Sequence, residues 1–306
     1  MDIRSTLSSV LDLPAKRFIA LEKGLSTQKF LLSRSEPINL PNIDKTIDTS
    51  ILFRVYTEET HGSNYRKIAQ WEKNALDHLK NQTMLIFPDF LGQINETNFI
   101  ANMVSWIDGK IPQGLDTVIS AWSIFSKISK DLQINDTLLP DHDKVILDSL
   151  EILSSFLHKH GLDAEQKLIR DFLDSFKNKS GFGHKLLIHG DFHLNNIIQS
   201  PNGSIGIIDW EYAAIGNPLF DLSYALLYDY GLQDKPIKEF YTERLSKASK
   251  QGISLDKNDL FKGISSISLF LMALWFFERY RQTGREHNLA KAMIYIRGGL
   301  DLEFRF

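Results

Sequence analysis

Cysteine is absent from the 306 residues of this chain. Its absence excludes disulfide bonds, thiolate-ligated zinc or iron–sulfur sites, and every mechanism that uses a thiol nucleophile. A chain without cysteine agrees with a reducing compartment, and the N-terminus shows no apolar segment followed by a cleavage site. We therefore expect a cytoplasmic protein.

A strong excess of charge and a long apolar run are also lacking. The 35 Lys and Arg residues nearly balance the 38 Asp and Glu residues, for a formal net charge of -3. A basic face that follows a nucleic-acid backbone is not indicated, so nucleic acid is not an expected partner. Residues 263–277 are free of charge for only 15 positions, fewer than the roughly 20 that span a bilayer. This stretch predicts a buried helix and no membrane span.

Secondary-structure patterns divide the chain near residues 107–114. Before this point, short runs rich in β-branched and aromatic residues predict one antiparallel sheet, interrupted by a helix at 65–80. The predicted strands lie at 17–22, 29–33, 51–56, 84–87 and 99–106. After it, long amphipathic segments predict helices, with a β-rich insert between 186 and 209. We predict an α+β protein with lobes at 1–107 and 108–306.

Oxygen-bearing side chains follow short apolar runs in the second lobe. Asp191 and Asn196 lie between two such runs, and Asp209 ends a third. Phosphoryl transfer needs Mg²⁺ held by oxygen ligands, a carboxylate that orients or deprotonates the acceptor hydroxyl, and cations over the phosphates. The three side chains meet the first two needs. The alternative is that Asp191 and Asn196 cap a turn and Asp209 ends a strand.

This motif resembles the catalytic loop and metal-binding aspartate of the choline/ethanolamine kinase family, within the aminoglycoside phosphotransferase (protein-kinase-like) superfamily. The resemblance implies a two-lobed kinase fold: a small antiparallel-sheet lobe with one main helix that binds nucleotide, and a larger, mainly helical lobe for catalysis and acceptor binding. It implies ATP and Mg²⁺ as cofactors. Asp191 would be the catalytic base, and Asn196 and Asp209 would bind magnesium.

Other residues of the motif are expected to support the loop. Asp221 matches a family aspartate that braces the catalytic loop. His189 and His193 are predicted to be structural, because no third histidine or carboxylate lies at zinc-site spacing.

The first lobe offers two segments for nucleotide binding by the same resemblance. The turn at 22–28 is similar to the family's phosphate-covering turn, with Gly24, Ser26 and Thr27 as contacts. Residues 102–109 resemble the interlobe hinge, where the backbone near Val104 to Trp106 would bind adenine.

A cation for the phosphates is expected on the third predicted strand. Arg54 is a charged residue in an apolar run, as in the arginine strand of choline and ethanolamine kinases, and its planar fork suits phosphate. An edge-strand arginine facing water is the alternative. Glu72 is the first candidate for the acid that pairs with Arg54, and Glu59 is the second. On a mostly exposed helix, Glu72 could equally be a solvated surface residue.

Several residues of the second lobe and its motif are candidates for the site that binds the acceptor alcohol. Glu211 could support the metal, face a cationic substrate or be exposed to solvent, and Tyr212, Trp275 and Glu278 are further candidates for the acceptor site. Met272 replaces the first tryptophan of the segment that cages the ammonium group in choline kinases. Trp275 could instead be a core residue.

These residues predict an ATP- and Mg²⁺-dependent phosphotransferase that acts on a small amino alcohol, choline or ethanolamine first. The alternatives are an enzyme like thiamine or aminoglycoside kinases, and a catalytically silent nucleotide-binding scaffold. We expect a monomer or a homodimer whose partners are a nucleotide and a small-molecule alcohol.

Overall fold

The computed structural model describes residues 2–21, 28–33, 38–40, 45–47, 49–134, 137–179, 183–233, 235–255 and 259–304. The chain divides into two compact units. The first unit comprises Met1–Lys110 and Ile198–Tyr212, and the second unit comprises Ile111–Ile197 and Ala213–Phe306.

Strands and helices are numbered in chain order. The strands are β1 (Phe18–Leu21), β2 (Gln28–Leu32), β3 (Ile38–Leu40), β4 (Lys45–Ile47), β5 (Ile51–Thr57), β6 (Phe90–Asn95), β7 (Phe99–Ser105), β8 (Leu186–Ile188), β9 (Ile197–Gln199), β10 (Ile205–Ile207) and β11 (Ala214–Gly216). The helices are α1 (Ile3–Leu11), α2 (Glu58–His61), α3 (Tyr65–Leu79), α4 (Leu115–Asp131), α5 (His142–Lys159), α6 (Asp163–Lys179), α7 (Leu219–Leu227), α8 (Ile237–Lys250), α9 (Asp259–Thr283) and α10 (Glu286–Phe304).

A 5-stranded antiparallel sheet in the order β1-β2-β5-β7-β6 forms the first unit's framework. Strand β5 lies in its centre and alternates between two faces, as successive residues of a strand do. One face carries Phe53, which packs with Phe18 and Met103 in an apolar core that α1 covers with Leu7 and Leu11. The opposite face carries Arg54. A charged side chain in the middle of a central strand is therefore directed away from the apolar core.

Helix α3 packs on the Arg54 face of the sheet. Its buried positions include Ala69, Glu72 and Leu76, and Ala69 packs with Tyr56 of β5 and Ile100 of β7. The predicted helix at 65–80 is confirmed, except that Lys80 caps its end. Helix α1 was not predicted. It begins at a cap in which the Asp2 carboxylate accepts a hydrogen bond from the backbone N–H of Arg4.

The predicted strand at 84–87 is wrong. The described residues 84–87 form no strand, and only Ile86 makes a parallel bridge, to Gly206. The edge of the sheet is instead β6, whose pairing with β7 is irregular between Phe90 and Gly92. Glycine lacks the side chain that marks an alternating pattern, and the irregularity breaks the period of two on which the prediction relied.

Residues 198–212 belong to the first unit, although they lie beyond the lobe boundary predicted from the sequence. The Ile86 backbone bonds to Ile205 and Ile207 at 2.9 and 3.0 Å, and Lys110 and Gln199 exchange two backbone hydrogen bonds of 3.0 and 2.8 Å. These bonds join the β9–β10 hairpin to the first unit. The functional division at 107/108 stays a prediction.

The second unit is mainly helical and is built around α9. The 25 residues of this helix are apolar enough, by length and composition, to cross a membrane, and 67% of its most apolar window is buried. A core helix has the same properties. Gly299 of α10 allows close contact with α9, because a Cβ atom at this position would lie 2.4 Å from the Phe270 ring. Strand β8, which pairs with β11, precedes the loop that contains Asp191. The predicted α+β class is confirmed.

Candidate active site

Arg54 lies at the centre of a buried ionic cluster in the first unit. Its Nε is 2.8 Å from Glu72 Oε1, and its Nη2 is 3.0 Å from Glu211 Oε2 and also contacts Asp209 Oδ1. The Nζ of Lys29 is 2.8 Å from the other oxygen of Asp209. We call Lys29, Arg54, Glu72, Asp209 and Glu211 the ionic cluster. It joins residues that are far apart in sequence around one guanidinium group.

Strand register explains how the ionic cluster forms. Arg54 lies directly opposite Lys29 of β2 and Asn102 of β7, so the three side chains share one face of the sheet. Helix α3 brings Glu72 to this face. There Glu72 Oε2 accepts hydrogen bonds from the Tyr56 hydroxyl at 2.6 Å and from Asn102 Nδ2 at 2.9 Å. These bonds offset part of the cost of burying a carboxylate.

Electrostatic interactions keep Arg54 and Asp209 of the ionic cluster charged. Burial works to lower the pKa of Arg54, but Asp209 and Glu72 outweigh it and hold that pKa well above its ordinary value. Burial works to raise the pKa of Asp209, but Arg54 and Lys29 hold it well below its usual range. For Glu72, burial prevails and the pKa is raised in spite of Arg54. Asp209 is thus an ionised oxygen donor at neutral pH, as a divalent cation requires.

The backbone of Asp209 is unusual. Its φ is 74°, in the left-handed region, which residues other than Gly, Asn and Asp rarely occupy. The following residue anchors this turn, because the Trp210 indole is fully buried and donates to the Ile207 carbonyl at 3.0 Å. Strained conformations of this kind persist where the surrounding structure holds them, and they concentrate at functional sites.

Asp191 and Asn196 meet in the second unit. Asn196 Nδ2 donates to the Asp191 carbonyl at 2.9 Å and to Asp191 Oδ2 at 3.1 Å. His193 Nε2 lies 3.3 Å from the same carboxylate oxygen, and its ring stacks on Tyr228 with centroids 3.9 Å apart. The Asp191 side chain keeps 29% of its surface exposed. The loop therefore holds a carboxylate in a fixed orientation while leaving it accessible.

Asp221 braces this loop from helix α7. Its two carboxylate oxygens accept backbone hydrogen bonds from His189 at 2.8 Å and from Gly190 at 2.9 Å. Gly190 has a φ of 79°, which favours glycine at this turn. Burial raises the pKa of Asp221 to about 7, although the two backbone bonds act to lower it.

We expect the wild-type protein to lose stability relative to Asp221→Asn as the pH rises from about 4 to about 7. The folded state holds the Asp221 proton up to a pKa of about 7, whereas the unfolded chain releases it near 3.8. The resulting stabilisation is complete below the unfolded value and is lost as the pH rises through the folded one. This stabilisation can contribute at most about 4 kcal/mol to the free energy of unfolding. Melting temperatures of both proteins across this range measure the effect, and a constant difference would contradict it.

Several predicted nucleotide contacts are less well supported. Gly24, Ser26 and Thr27 lie outside the described residues. Val104 is buried in β7, and the backbone N–H groups of Ser105 and Trp106 already donate to the carbonyls of Asp89 and Ser50 at 2.9 Å each. These two N–H groups are therefore not available to adenine in this structure. A nucleotide contact of Val104 or Trp106 would use other groups and stays a prediction.

The predicted acceptor residues occupy different environments. Tyr212 is 44% exposed and Trp275 is 40% exposed, so Trp275 is not a core residue. The Arg279 guanidinium lies 5.0 Å from the centroid of the Trp275 ring. Glu278 accepts a hydrogen bond from Arg281 at 2.8 Å. For Glu211 the structure rules out the solvent-exposed alternative, since its side chain is only 2% exposed and pairs with Arg54.

Sequence reasoning did not identify Lys29, Tyr56 or Asn102 as members of the site. Lys29 follows the polar residue Gln28, and Asn102 interrupts an apolar run. Neither pattern is a strong signal of a functional site. Their association with Arg54 follows from cross-strand register and helix packing, which the sequence pattern does not specify.

Each unit contains an oxygen donor of the kind that Mg²⁺ uses when a nucleotide supplies its other ligands. No group of three or more histidine, aspartate or glutamate side chains within the described residues forms a ready metal site. Mg²⁺ usually needs only one or two protein ligands, because phosphates and water supply the others. Asp209 offers an ionised carboxylate. Asn196 uses its amide nitrogen on Asp191, so its amide oxygen is the donor suited to a cation.

Comparison with solved structures defines the fold class. An amicoumacin kinase in complex with AMP-PNP, Ca²⁺ and Ami matches with a TM-score of 0.69 and 13% identity, covering 99% of this chain and 94% of that one. An ethanolamine kinase of Plasmodium vivax matches with a TM-score of 0.62 and 16% identity, covering 95% and 84%. An aminoglycoside phosphotransferase APH(4)-Ia with ADP and hygromycin B matches with a TM-score of 0.65 and 12% identity, covering 99% of each chain. The chain has the protein-kinase-like fold of the aminoglycoside kinases.

Sequence comparison adds the reaction class. Residues 147–249 match the family described as APH, the phosphotransferase enzyme family. Over 53 residues the chain is 43% identical to acyl-CoA dehydrogenase family member 11 of Pongo abelii, and over 44 residues it is 41% identical to the probable acyl-CoA dehydrogenase IBR3 of Arabidopsis thaliana. These stretches cover 17% and 14% of this chain but only 7% and 5% of the relatives. The family match supports phosphoryl transfer to a small molecule.

Proposed function

We propose that this chain is an ATP- and Mg²⁺-dependent kinase that phosphorylates the hydroxyl of a small amino alcohol, with ethanolamine and choline as first candidates. The ionic cluster carries the proposal. Burying one arginine against three carboxylates costs free energy that apolar packing would not. Such a cluster with strongly shifted pKa values is typical of a functional site, and the family match supports a kinase.

The exposure of the Asp191 carboxylate and its hydrogen bond from Asn196 support a role as general base. We infer that it accepts a hydrogen bond from the acceptor hydroxyl, whose oxygen then attacks the γ-phosphorus of ATP. The new oxygen–phosphorus bond forms as the bond to the β–γ bridging oxygen breaks, ADP leaves, and the hydroxyl proton passes to the Asp191 carboxylate. Asn196 fixes that carboxylate, and Asp221 fixes the loop backbone.

Asn196 and Asp209 are the proposed protein ligands of Mg²⁺, which when bound would neutralise charge on the phosphates. Arg54 holds one oxygen of Asp209 and is itself held by Glu72 and Glu211. In this proposal the ionic cluster orients Asp209 before nucleotide arrives, which avoids reorganisation during the reaction.

The surroundings of Trp275 favour ethanolamine over choline. A quaternary ammonium has no N–H donors and depends on aromatic faces, yet one face of Trp275 is already near Arg279. Met272, at the position of the family's first tryptophan, is buried. A primary ammonium can instead donate hydrogen bonds to carboxylate or carbonyl oxygens. The fold similarity to an ethanolamine kinase agrees with this choice, whereas the aminoglycoside kinases among the similar structures keep aminoglycosides as the alternative.

Phosphate transfer to defined acceptors tests the proposal. With MgATP, we expect ADP release to rise severalfold when ethanolamine is added and a phosphomonoester to appear in the ³¹P NMR spectrum. Ethylamine, which has the amine but no hydroxyl, is the matched control and should give no increase. Choline, thiamine and aminoglycosides, assayed in parallel, define the acceptor class. Nucleotide binding without transfer to any alcohol would favour the silent scaffold.

A further inference from the structure

Lys29 lies at the accessible edge of the ionic cluster. The side chains of Arg54, Glu72 and Glu211 are 2–3% exposed, whereas those of Lys29 and Asp209 are 13% and 16% exposed. The cluster therefore meets solvent at the Lys29–Asp209 pair. A ligand that approaches the cluster contacts this pair first.

The position of Lys29 is unfavourable without an anion beside it. Lys29 and Arg54 lie directly opposite each other on β2 and β5, and like charges in this arrangement repel. Asp209 relieves the repulsion, because one oxygen contacts Arg54 and the other is 2.8 Å from Lys29 Nζ. If a divalent cation were to bind Asp209, Lys29 would lose this compensation and need another anion.

Arg54 is poorly placed to supply the phosphate contact. Its described polar contacts are Glu72, Asp209, Glu211 and the Tyr56 hydroxyl, at Nε and Nη2 of the guanidinium. The whole side chain is only 3% exposed, which also limits access to the third nitrogen, Nη1. Lysine has a flexible four-carbon stem and a compact charge, so its ammonium can move a few ångströms without disturbing the strand. Lys29 can therefore change partners, whereas Arg54 is fixed.

We propose that Lys29 is a phosphate-binding residue that neutralises Asp209 in the empty protein and binds a β- or γ-phosphate oxygen when Asp209 holds the metal. Arg54 then organises the carboxylates and does not contact the nucleotide. The inference rests on the proposed function, and it assigns to Lys29 the phosphate contact that the sequence resemblance assigned to Arg54.

Nucleotide binding by calorimetry tests the phosphate contact. Lys29→Gln should weaken MgATP binding by about 10- to 100-fold, the loss of one charge-assisted hydrogen bond, while AMP, which lacks the β- and γ-phosphates, binds as before. Lys29→Arg should recover part of the loss. Lys67→Gln, on the exposed side of α3, makes the same charge change and should alter neither affinity. An equal loss for AMP and MgATP would indicate a structural role and overturn the inference.

Metal binding without nucleotide tests the second part of the proposal, that Lys29 neutralises Asp209 until a metal binds. Mn²⁺ binding, followed by electron paramagnetic resonance, should become severalfold tighter in Lys29→Gln, because a cation that competes for Asp209 is gone. A purely structural role would not raise metal affinity while lowering MgATP affinity. An unchanged Mn²⁺ affinity would contradict the proposal that Lys29 exchanges Asp209 for a phosphate oxygen. If the wild-type protein binds no MgATP, the proposed function fails as well; if it binds MgATP and Lys29→Gln binds it equally, only the role of Lys29 fails.

Discussion

Asp191→Ala is expected to lower kcat for phosphate transfer by about 10²- to 10⁴-fold, the usual contribution of a positioned general base. The dissociation constant for MgATP should change by less than about threefold, since Asp191 acts on the acceptor hydroxyl. The reason is geometric: the carboxylate is 29% exposed, and Asn196 and His193 hold one oxygen at 3.1 and 3.3 Å. Steady-state ADP release and calorimetric nucleotide binding, measured on the same preparation, separate the two effects.

Two further variants test whether the loss of kcat comes from the missing proton acceptor. Asp191→Asn retains an oxygen that can accept from Asn196 but cannot take a proton, so its kcat should fall nearly as far while its melting temperature stays close to that of the wild type. Asp171→Ala removes an exposed carboxylate from α6 of the same unit and should leave kcat unchanged. Full turnover by Asp191→Ala would remove this residue from the mechanism.

The loop that contains Asp191 and Asn196 was the part of the candidate site that sequence reasoning could predict best. Asp191 and Asn196 are five residues apart on one loop, so their contact depends mainly on local chain geometry. Glu72 was the first of two candidates for the partner of Arg54, but helical period alone also allowed an exposed position. The structure buries it against Arg54 at 2.8 Å. Glu72 is buried because α3 packs on the sheet, and this tertiary contact does not follow from the helical period.

Non-local contacts explain what sequence reasoning missed. Lys29 and Asn102 belong to the site because β2 and β7 pair with β5 in a particular register, and a shift by one residue would turn them to the opposite face. Glu211 shows the same limit. Its position two residues after Asp209 left metal support, substrate contact and solvent exposure open, whereas the structure buries it in an ion pair with Arg54, which lies in a distant part of the sequence.

The predicted strand at 84–87 failed for a local reason. Residues 84–87 are an apolar run, but such runs do not distinguish a strand from an extended segment with a single bridge. The true edge strand, β6, contains Gly92 and an irregular pairing, both of which obscure alternation. The predicted fold class was still correct, because the bounds predicted for the other strands and for α3 agree with the structure within a residue or two.

Arg54→Met is expected to lower the free energy of unfolding by about 3–5 kcal/mol, because it removes the cation shared by three carboxylates and leaves much of their charge uncompensated. Glu72 and Glu211 are only 2% exposed and cannot recover solvation by small movements. Urea denaturation measures the loss. Arg54→Lys should lose less, since it keeps the charge but lacks the planar fork that reaches several carboxylates.

The pH dependence of this loss identifies its cause. Without Arg54, the buried carboxylates should have pKa values above those of the unfolded chain. The variant then gains stability on protonation, and its deficit relative to the wild type should shrink as the pH falls toward about 4. Arg66→Met, on the exposed side of α3, should cost less than about 1 kcal/mol at any pH. A deficit for Arg54→Met that stays constant with pH would instead indicate lost packing around the arginine side chain, because packing does not depend on the charge of the carboxylates.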